Sequence, residues 1–208
     1  AVWKAVAALR RDGIPIKAVT NRGYTLAQSV DVLNAAAVAV QLDEATVKAL
    51  QIEVVDRLPG TNAALRSRAD AGAREGLVLI AQAQSAGRGR GGHSFYSPPG
   101  GLYMSILLRP EIGARQAVGL TAMAAVAAAR AAERLCGVPI TIKWVNDLWK
   151  NGKKVCGILT EAGTDLESGQ LEWLVVGIGL NLTATAEDFP RELTAKAGSL
   201  YPGGPAPV

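Results

Sequence analysis

Histidine occurs once and cysteine twice in this 208-residue chain. Cys136 and Cys156 have no metal-ligand spacing, which excludes a zinc ribbon or finger; they read as reduced thiols of a cytoplasmic protein, a disulfide being the alternative. His93 has no Ser or Cys partner at a readable spacing, so no nucleophilic triad can be assembled around it. Aromatic residues are 5% of the chain, too few to give an RNA-binding protein its stacking platforms. No G-x-x-x-x-G-K-[ST] sequence is present, so an ordinary P-loop is excluded. The longest uncharged apolar run, Ala117 to Ala129, is too short to span a bilayer, and no membrane partner is expected. The chain opens on Ala rather than Met and shows no secretory pattern, as a trimmed fragment would. Its charge of +4 suits an anionic ligand or weak nucleic-acid contact without proving either.

What the chain does have is a glycine-arginine loop. From Gln82 to Pro99 it reads Q-A-Q-S-A-G-R-G-R-G-G-H-S-F-Y-S-P-P. Gly87, Gly89 and Gly91 alternate with Arg88 and Arg90, so the backbone can lie flat against a ligand while two guanidinium groups hang from it. Arg matches phosphate or carboxylate bidentately, and glycine-flanked N–H groups can form an anion nest. The loop is expected to be mobile when empty and to close on its ligand. By composition alone it reads equally as an RGG-type nucleic-acid segment or a plain surface loop.

Around it the chain alternates strand and helix signals. Val2, Val6 and Leu9 share a helical face with Arg10 and Arg11 near its end and Gly13 as the stop; Ile14, Ile16 and Val19 then lead through T-N-R-G to Tyr24 and Leu26, a hairpin. Residues 27–50 are polar and Ala-rich. Strands are predicted at Ile52 to Leu58, Leu77 to Ala81, Leu102 to Leu108, Ile140 to Trp144, Val155 to Glu161 and Leu171 to Ile178. Helices are predicted from Asn62 to Ala73, capped by Thr61, and from Ala114 to Leu135, ending before Gly137 and Pro139. Asn151-Gly152 marks a tight turn, and the P-G-G-P-A-P-V end is structureless by composition. Neighbouring strands with helices on one side predict an α+β fold with a mixed or antiparallel sheet and ligand loops at one edge.

Polar clusters punctuate those strands. Gly60-Thr61-Asn62 sits at a strand-to-helix junction, where a hydroxyl and an amide can bind a polar ligand or cap the helix. Lys143-Trp144-Val145-Asn146-Asp147 places a cation, an amide and a carboxylate at a strand end: a plain turn, or a nucleotide site with Lys on phosphate, Asp on magnesium or ribose, and Asn as positioner. Lys153-Lys154 enters a strand containing Gly157; a hairpin lysine is usually solvated, but Gly157 allows close approach to the backbone. Arg and Lys for phosphates with a neutral polar group elsewhere point to activation of a carboxylate by a nucleotide.

Taken in order, G-T-N, Q-S-A-G-R-G-R-G-G, S-P-P-G-G-L-Y-M-S, K-W-V-N-D, K-K-V-C-G-I-L-T-E and G-I-G-L-N-L resemble the biotin protein ligases over nearly all of residues 50–183. The N-terminal helix and hairpin resemble the back of the winged helix-turn-helix of the bifunctional class, which is both ligase and biotin operon repressor. The resemblance implies a partial winged helix-turn-helix at 1–28, a linker at 29–50 and a catalytic domain at 51–208, without the family's C-terminal SH3-like domain or its front DNA-binding helices. It implies a reaction in which the biotin carboxylate attacks the α-phosphate of ATP, with Mg2+, to give biotinyl-5′-adenylate. A lysine of a biotin carboxyl carrier domain then takes the biotin. It assigns Gly60, Thr61, Asn62 and Gln84 to the ureido end of biotin, with Arg88, Gly89 and Arg90 along the ligand. Lys154 falls at the activated carboxyl. Arg88, Lys143, Asp147 and Lys154 form the catalytic set; Gly87, Arg90, Phe95, Lys143, Asn146, Asp147 and Asn181 surround ATP or the adenylate, and Asp147 is the metal candidate. A DNA operator is a partner only where the N-terminal domain is complete, and a homodimer is allowed.

The chain departs from the family pattern at Val145, where Pro is usual; at Gly91 and His93, which replace arginines; and at Phe95, which replaces Trp. Losing two charges from the loop implies looser retention of the adenylate. Alternatives are a lipoate ligase-like enzyme, which would leave Thr61 and Gln84 without ureido partners, and a biotin-sensing DNA-binding regulator with weak catalysis, which would not need Lys143, Asp147 and Lys154.

Overall fold

The computed structural model describes residues 2–11, 14, 16–20, 22–26, 33–165, 167 and 170–204. At the N-terminus α1 (Val2–Arg11) precedes an antiparallel hairpin of β1 (Ile16–Val19) and β2 (Gly23–Leu26), with Ile16 opposite Leu26. Of the expected apolar face only Val6 is buried; Val2 and Leu9 are exposed. The expected helix stop at Gly13 and the Asn21 of the turn lie outside the described residues. The stretch expected as a linker carries two short helices, α2 (Ala35–Val40) and α3 (Glu44–Ala49). Their first turns are closed by side chains: Ala37 N donates to Asn34 Oδ1 and Thr46 N to Asp43 Oδ1.

A seven-stranded sheet follows, in the order β3 (Gln51–Leu58), β4 (Leu77–Gln84), β5 (Gly101–Leu108), β9 (Leu171–Asn181), β8 (Lys153–Thr164), β7 (Asp147–Lys150) and β6 (Thr141–Lys143). It is mixed, as expected: β3 and β4 are parallel, joined through α4 (Thr61–Asp70), and every other pair is antiparallel. The β7–β8 turn is Asn151-Gly152, whose φ values of 50° and 75° are the left-handed pair that such a turn requires.

One expectation is corrected. Helices cover both faces of the sheet, because β5 and β9 are apolar on both sides. Leu174 and Val176, with Ile106 and Ile178 beside them, pack toward α5 (Ala114–Cys136), whose Ala125, Ala129 and Ala132 are buried in the same cluster. Trp173, Val175, Leu107 and Leu79 pack on the opposite side against Leu65 and Ala69 of α4. Alternation along β9 sorts the two sets. α5 ends where expected, at Gly137 in the left-handed conformation with φ 66°. The far end of α4 is held by Arg109, whose guanidinium donates to the carbonyls of Ala69, Ala73 and Glu172. That satisfies acceptors which a helix C-terminus leaves open.

Several boundaries also move. α4 begins at Thr61 with Gly60 as its N-cap, so Thr61 is the first helical residue and not the cap. β4 runs to Gln84 and β8 to Thr164, while β6 stops at Lys143, leaving Trp144 in a turn and 77% exposed. The Trp144–Val145 peptide is cis.

Candidate active site

The face of the sheet that carries α4 continues past the helix as the floor of a cleft. Cross-strand register builds that floor. Ser105 pairs with Gly177 and Gly177 with Leu159; one step along, Tyr103 pairs with Gly179, Gly179 with Gly157, and Gly157 with Asp147. The floor strands carry glycine at Gly157, Gly177 and Gly179, and the space that a side chain would take there is filled by neighbouring groups. A Cβ on Gly179 would meet the Phe95 ring at 2.6 Å, and one on Gly157 would meet it at 2.8 Å and Lys154 Cε at 3.2 Å. A Cβ on Gly177 would collide with the Asn62 amide.

At one end the N-terminus of α4 brings Thr61 and Asn62 beside Gln84, the last residue of β4. Thr61 N donates to Gln84 Oε1 at 2.8 Å, and the Thr61 hydroxyl lies 3.2 Å from the same oxygen. Gln84 Nε2 donates to Ser97 Oγ at 2.9 Å, and Ser97 Oγ in turn to Phe95 O at 2.9 Å, which ties the amide to the Gly-rich loop. Ser105, fully buried, has its hydroxyl 2.7 Å from Thr61 Oγ1 and 2.6 Å from Asn62 Oδ1. Asn62 Nδ2 donates to Leu159 O and to Glu161 Oε2, and Glu161 is ion-paired with Arg66 at 2.6 Å.

At the other end is Lys154. Its ammonium lies 2.7 Å from Asp147 Oδ1, with side chains 32% and 21% exposed, and 5.7 Å from the centroid of the Phe95 ring. The Asp147 oxygen is buried, and the contact has ion-pair distance without hydrogen-bond angles. Neighbouring Lys153 is turned away, donating to Thr194 O at 3.0 Å, so of the lysine pair only Lys154 serves the cleft. In the loop over the top, Phe95 N donates to Gly87 O at 2.9 Å and Gly89 N to His93 O at 2.7 Å, closing a small tab that leaves Arg88 and Arg90 exposed at the cleft wall. Phe95 packs edge-on against Tyr103, whose hydroxyl donates to Pro98 O; burial raises that phenol above its ordinary range.

Most of the candidate residues meet here: Gly60, Thr61, Asn62, Gln84, Arg88, Gly89, Arg90, Phe95, Asn146 and Lys154 all line the cleft. Asp147 stands one ion pair behind. Gly87 packs beneath the loop, where a Cβ would meet Phe95 O at 2.4 Å. Lys143 does not line the cleft: it is on the edge strand β6, its ammonium 4.9 Å from the Trp149 ring. Asn181 is also displaced from the lining; it is buried, and its Nδ2 donates to Gly198 O at 2.9 Å. Ser105, Arg66 and Glu161 were missed by sequence reasoning. A serine on the buried face of an otherwise apolar strand, Leu102 to Leu108, was the available signal for Ser105, because a buried hydroxyl needs partners.

Among the described residues no group of three or more His, Cys, Asp or Glu side chains could hold a metal ion. Mg2+ needs only one or two protein carboxylates when phosphates and water complete its shell; the carboxylate at this end is Asp147, behind the lining with Oδ1 toward Lys154.

Residues 54–181 match the Biotin/lipoate A/B protein ligase family, and the chain belongs to that family. The bifunctional ligase/repressor BirA of Bacillus spizizenii is 36% identical over 201 residues, which is 96% of this chain and 61% of that protein. BirA of Escherichia coli is 33% identical over 183 residues, 88% of this chain and 54% of that one. Among solved structures, the biotin protein ligase from Aquifex aeolicus in complex with biotin and ATP superposes with a TM-score of 0.60 at 30% identity, over 73% of this chain and 60% of that chain. The chain thus spans roughly six-tenths of the length of such relatives.

Proposed function

We propose that this chain is the catalytic part of a biotin protein ligase, which joins biotin to AMP at the expense of ATP and passes it to a lysine of a biotin carboxyl carrier domain. The observation that carries the reading is the arrangement of a single cleft: hydroxyl and amide groups, backed by the Arg66–Glu161 ion pair, at the Thr61–Gln84 end, the Lys154 ammonium at the other, and Arg88 and Arg90 on the wall above. A cyclic urea supplies N–H donors for the first end and an aliphatic carboxylate reaches for the second. In this reading Lys154 neutralises the carboxylate and the α-phosphate as the new acyl–phosphate bond forms and pyrophosphate departs. Asp147 holds the Lys154 ammonium in place and is the residue that would carry Mg2+, which supplies charge neutralisation on the phosphates when bound. Arg88 and Arg90 close over the adenylate and keep water from it, and the carrier lysine then attacks the acyl carbon and releases AMP. Asn146, at the cleft wall, is the nearest polar side chain for the nucleotide; Lys143 and Asn181 contribute only if the sheet edge and the 198 region rearrange around it.

Lipoate activation is disfavoured by the same polar end, since a dithiolane offers Thr61 and Gln84 nothing. A DNA operator is a partner of the proposal only where the N-terminal domain is complete; of that domain, α1 and its hairpin expose Arg11, Lys17 and Arg22. The free Cys136 and Cys156 suit a reducing cytoplasmic setting, and among the described residues no helix is long and apolar enough to cross a membrane. The deciding experiment incubates the chain with Mg-ATP and either biotin or lipoate. Biotinyl-AMP is the expected product; lipoyl-AMP instead, or no adenylate, defeats the reading.

A further inference from the structure

Chemistry fixes every proton in the buried chain behind Thr61. Asn62 Nδ2 donates to Leu159 O at 3.1 Å and to Glu161 Oε2 at 2.9 Å. Turned over, the Asn62 amide would set its own oxygen against a carbonyl and an ion-paired carboxylate, so its orientation is forced. Oδ1 therefore faces Ser105 Oγ at 2.6 Å, and because an amide oxygen has no proton to give, the Ser105 hydroxyl spends its only proton there. The 2.7 Å contact between Ser105 Oγ and Thr61 Oγ1 also requires a proton, and it must be the one on Thr61. The Thr61 hydroxyl then donates inward, and its 3.2 Å approach to Gln84 Oε1 is the long contact of the set. Gln84 is fixed in its turn, since its Oε1 accepts from Thr61 N and its Nε2 donates to Ser97.

We propose that Ser105 is a positioning residue which, backed by Asn62 and the Arg66–Glu161 ion pair, locks the Thr61 hydroxyl as a hydrogen-bond acceptor, so that this end of the cleft selects ligands presenting N–H donors. Asn62 is thereby given a second role: both of its amide hydrogens are committed inside the protein and its oxygen fixes Ser105, through which it acts on Thr61. The chain runs one way, from the Thr61 hydroxyl through Ser105 and Asn62 to the Glu161 carboxylate, and each bond polarises the next. A shape-matched ligand without an N–H would set acceptor against acceptor. The identity of that ligand as biotin rests on the proposed function; the direction of the protons does not.

Neutron diffraction from deuterated, ligand-free crystals reads the direction itself. The expected map has the Thr61 deuteron pointing at Ser105 Oγ and the Ser105 deuteron at Asn62 Oδ1; a Ser105 deuteron pointing at Thr61 overturns the proposal. Calorimetry reads the consequence, with biotin and ring-N-methylated biotin as probes. Ser105→Ala and Thr61→Val are each expected to weaken biotin about 10- to 100-fold, the double variant no further than the worse single one, while the methylated probe, which gains nothing from the acceptor, loses no affinity in either. In Ser105→Ala, which leaves every cleft-lining side chain in place, the KM for biotin should rise while kcat at saturating biotin and the KM for ATP stay within about threefold. Additive losses in the double variant, or parent-like biotin binding by Ser105→Ala, overturn it. Should the variants not fold, the neutron map alone decides. Failure of the parent to bind biotin, with the deuterons where expected, sinks the ligase reading and leaves the acceptor lock standing.

Discussion

Replacing Lys154 by Met separates its chemical role from its structural one. Met keeps an unbranched stem of similar length over Gly157 and the Phe95 ring, and removes the charge. Folding should suffer modestly. The ion pair with Asp147 is a third to a fifth exposed, so solvent already screens it, and the main loss is a buried Asp147 oxygen left without its cation. That costs about 1–2 kcal/mol, or about 2–8 °C in melting temperature for a chain of this size. Adenylation should suffer far more, because a preorganised cation at a developing phosphate charge contributes about 3–4 kcal/mol to the barrier, roughly a 100- to 1,000-fold loss in rate. The assay is biotin-dependent exchange of pyrophosphate into ATP, run well below the melting temperature of the variant. Lys154→Arg should recover part of the rate by restoring charge. Exchange within threefold of the parent, in a protein whose melting temperature has dropped as above, would make Lys154 a structural ion-pair partner and refute its place in the reaction.

Gly177→Ala should lower stability by about 1–3 kcal/mol through overpacking against the Asn62 amide and weaken biotin binding with it; an unchanged melt and titration would mean that the close approach does not matter. Trypsin should cut the free chain at the exposed Arg88 and Arg90 and be excluded when biotin and ATP are both present, whereas equal cleavage rates would deny the loop a closing role. Burial pushes the Cys156 thiol from 9.0 up to about 12, so an alkylating reagent at pH 8 should label Cys136 and reach Cys156 only on unfolding, as peptide mass spectrometry would show. Because the folded state holds that proton more tightly than the unfolded one, stability should also fall as pH rises from about 9 toward 12, less steeply in Cys156→Ala. DNA binding by this chain should be weak, indifferent to sequence and steeply reduced by salt; tight binding that survives excess random DNA would show that α1 and its hairpin read bases unaided.

Strand order could not be read from the chain, but strand identity largely could. Leu77 to Ala81 and Leu171 to Ile178 stand out as apolar runs, and both strands simply extend further, to Gln84 and Asn181. What alternation did not reveal is that β9 is buried on both faces, because Trp173 and Val175 versus Leu174 and Val176 look like one continuous run until the helices on either side are known. The cleft residues carried by local motifs, Gly60 to Asn62, Gln84 to Phe95 and Lys154, were legible since each motif is a junction or turn with its own chemistry. Arg66 and Glu161 were not: ninety-five residues separate them, and only the packing of α4 over β8 makes them partners. Lys143 and Asn181 show the converse, polar residues in striking motifs whose side chains are held by Trp149 and Gly198 instead.

The glycines of the cleft floor also bear on what the site can measure. Their amides and carbonyls belong to the ladder between β5, β9 and β8, and the Phe95 ring and the Asn62 amide lie against them, so the floor itself has no free backbone group to offer a ligand. Directional recognition therefore falls to the two ends and to the loop above, and the sheet between them, with a repeat fixed by its strands, sets their spacing. Thr61 is fixed on its helix and only the four-carbon stem of Lys154 has freedom to follow an arm of another length, so an acid much too short or too long would satisfy one end only.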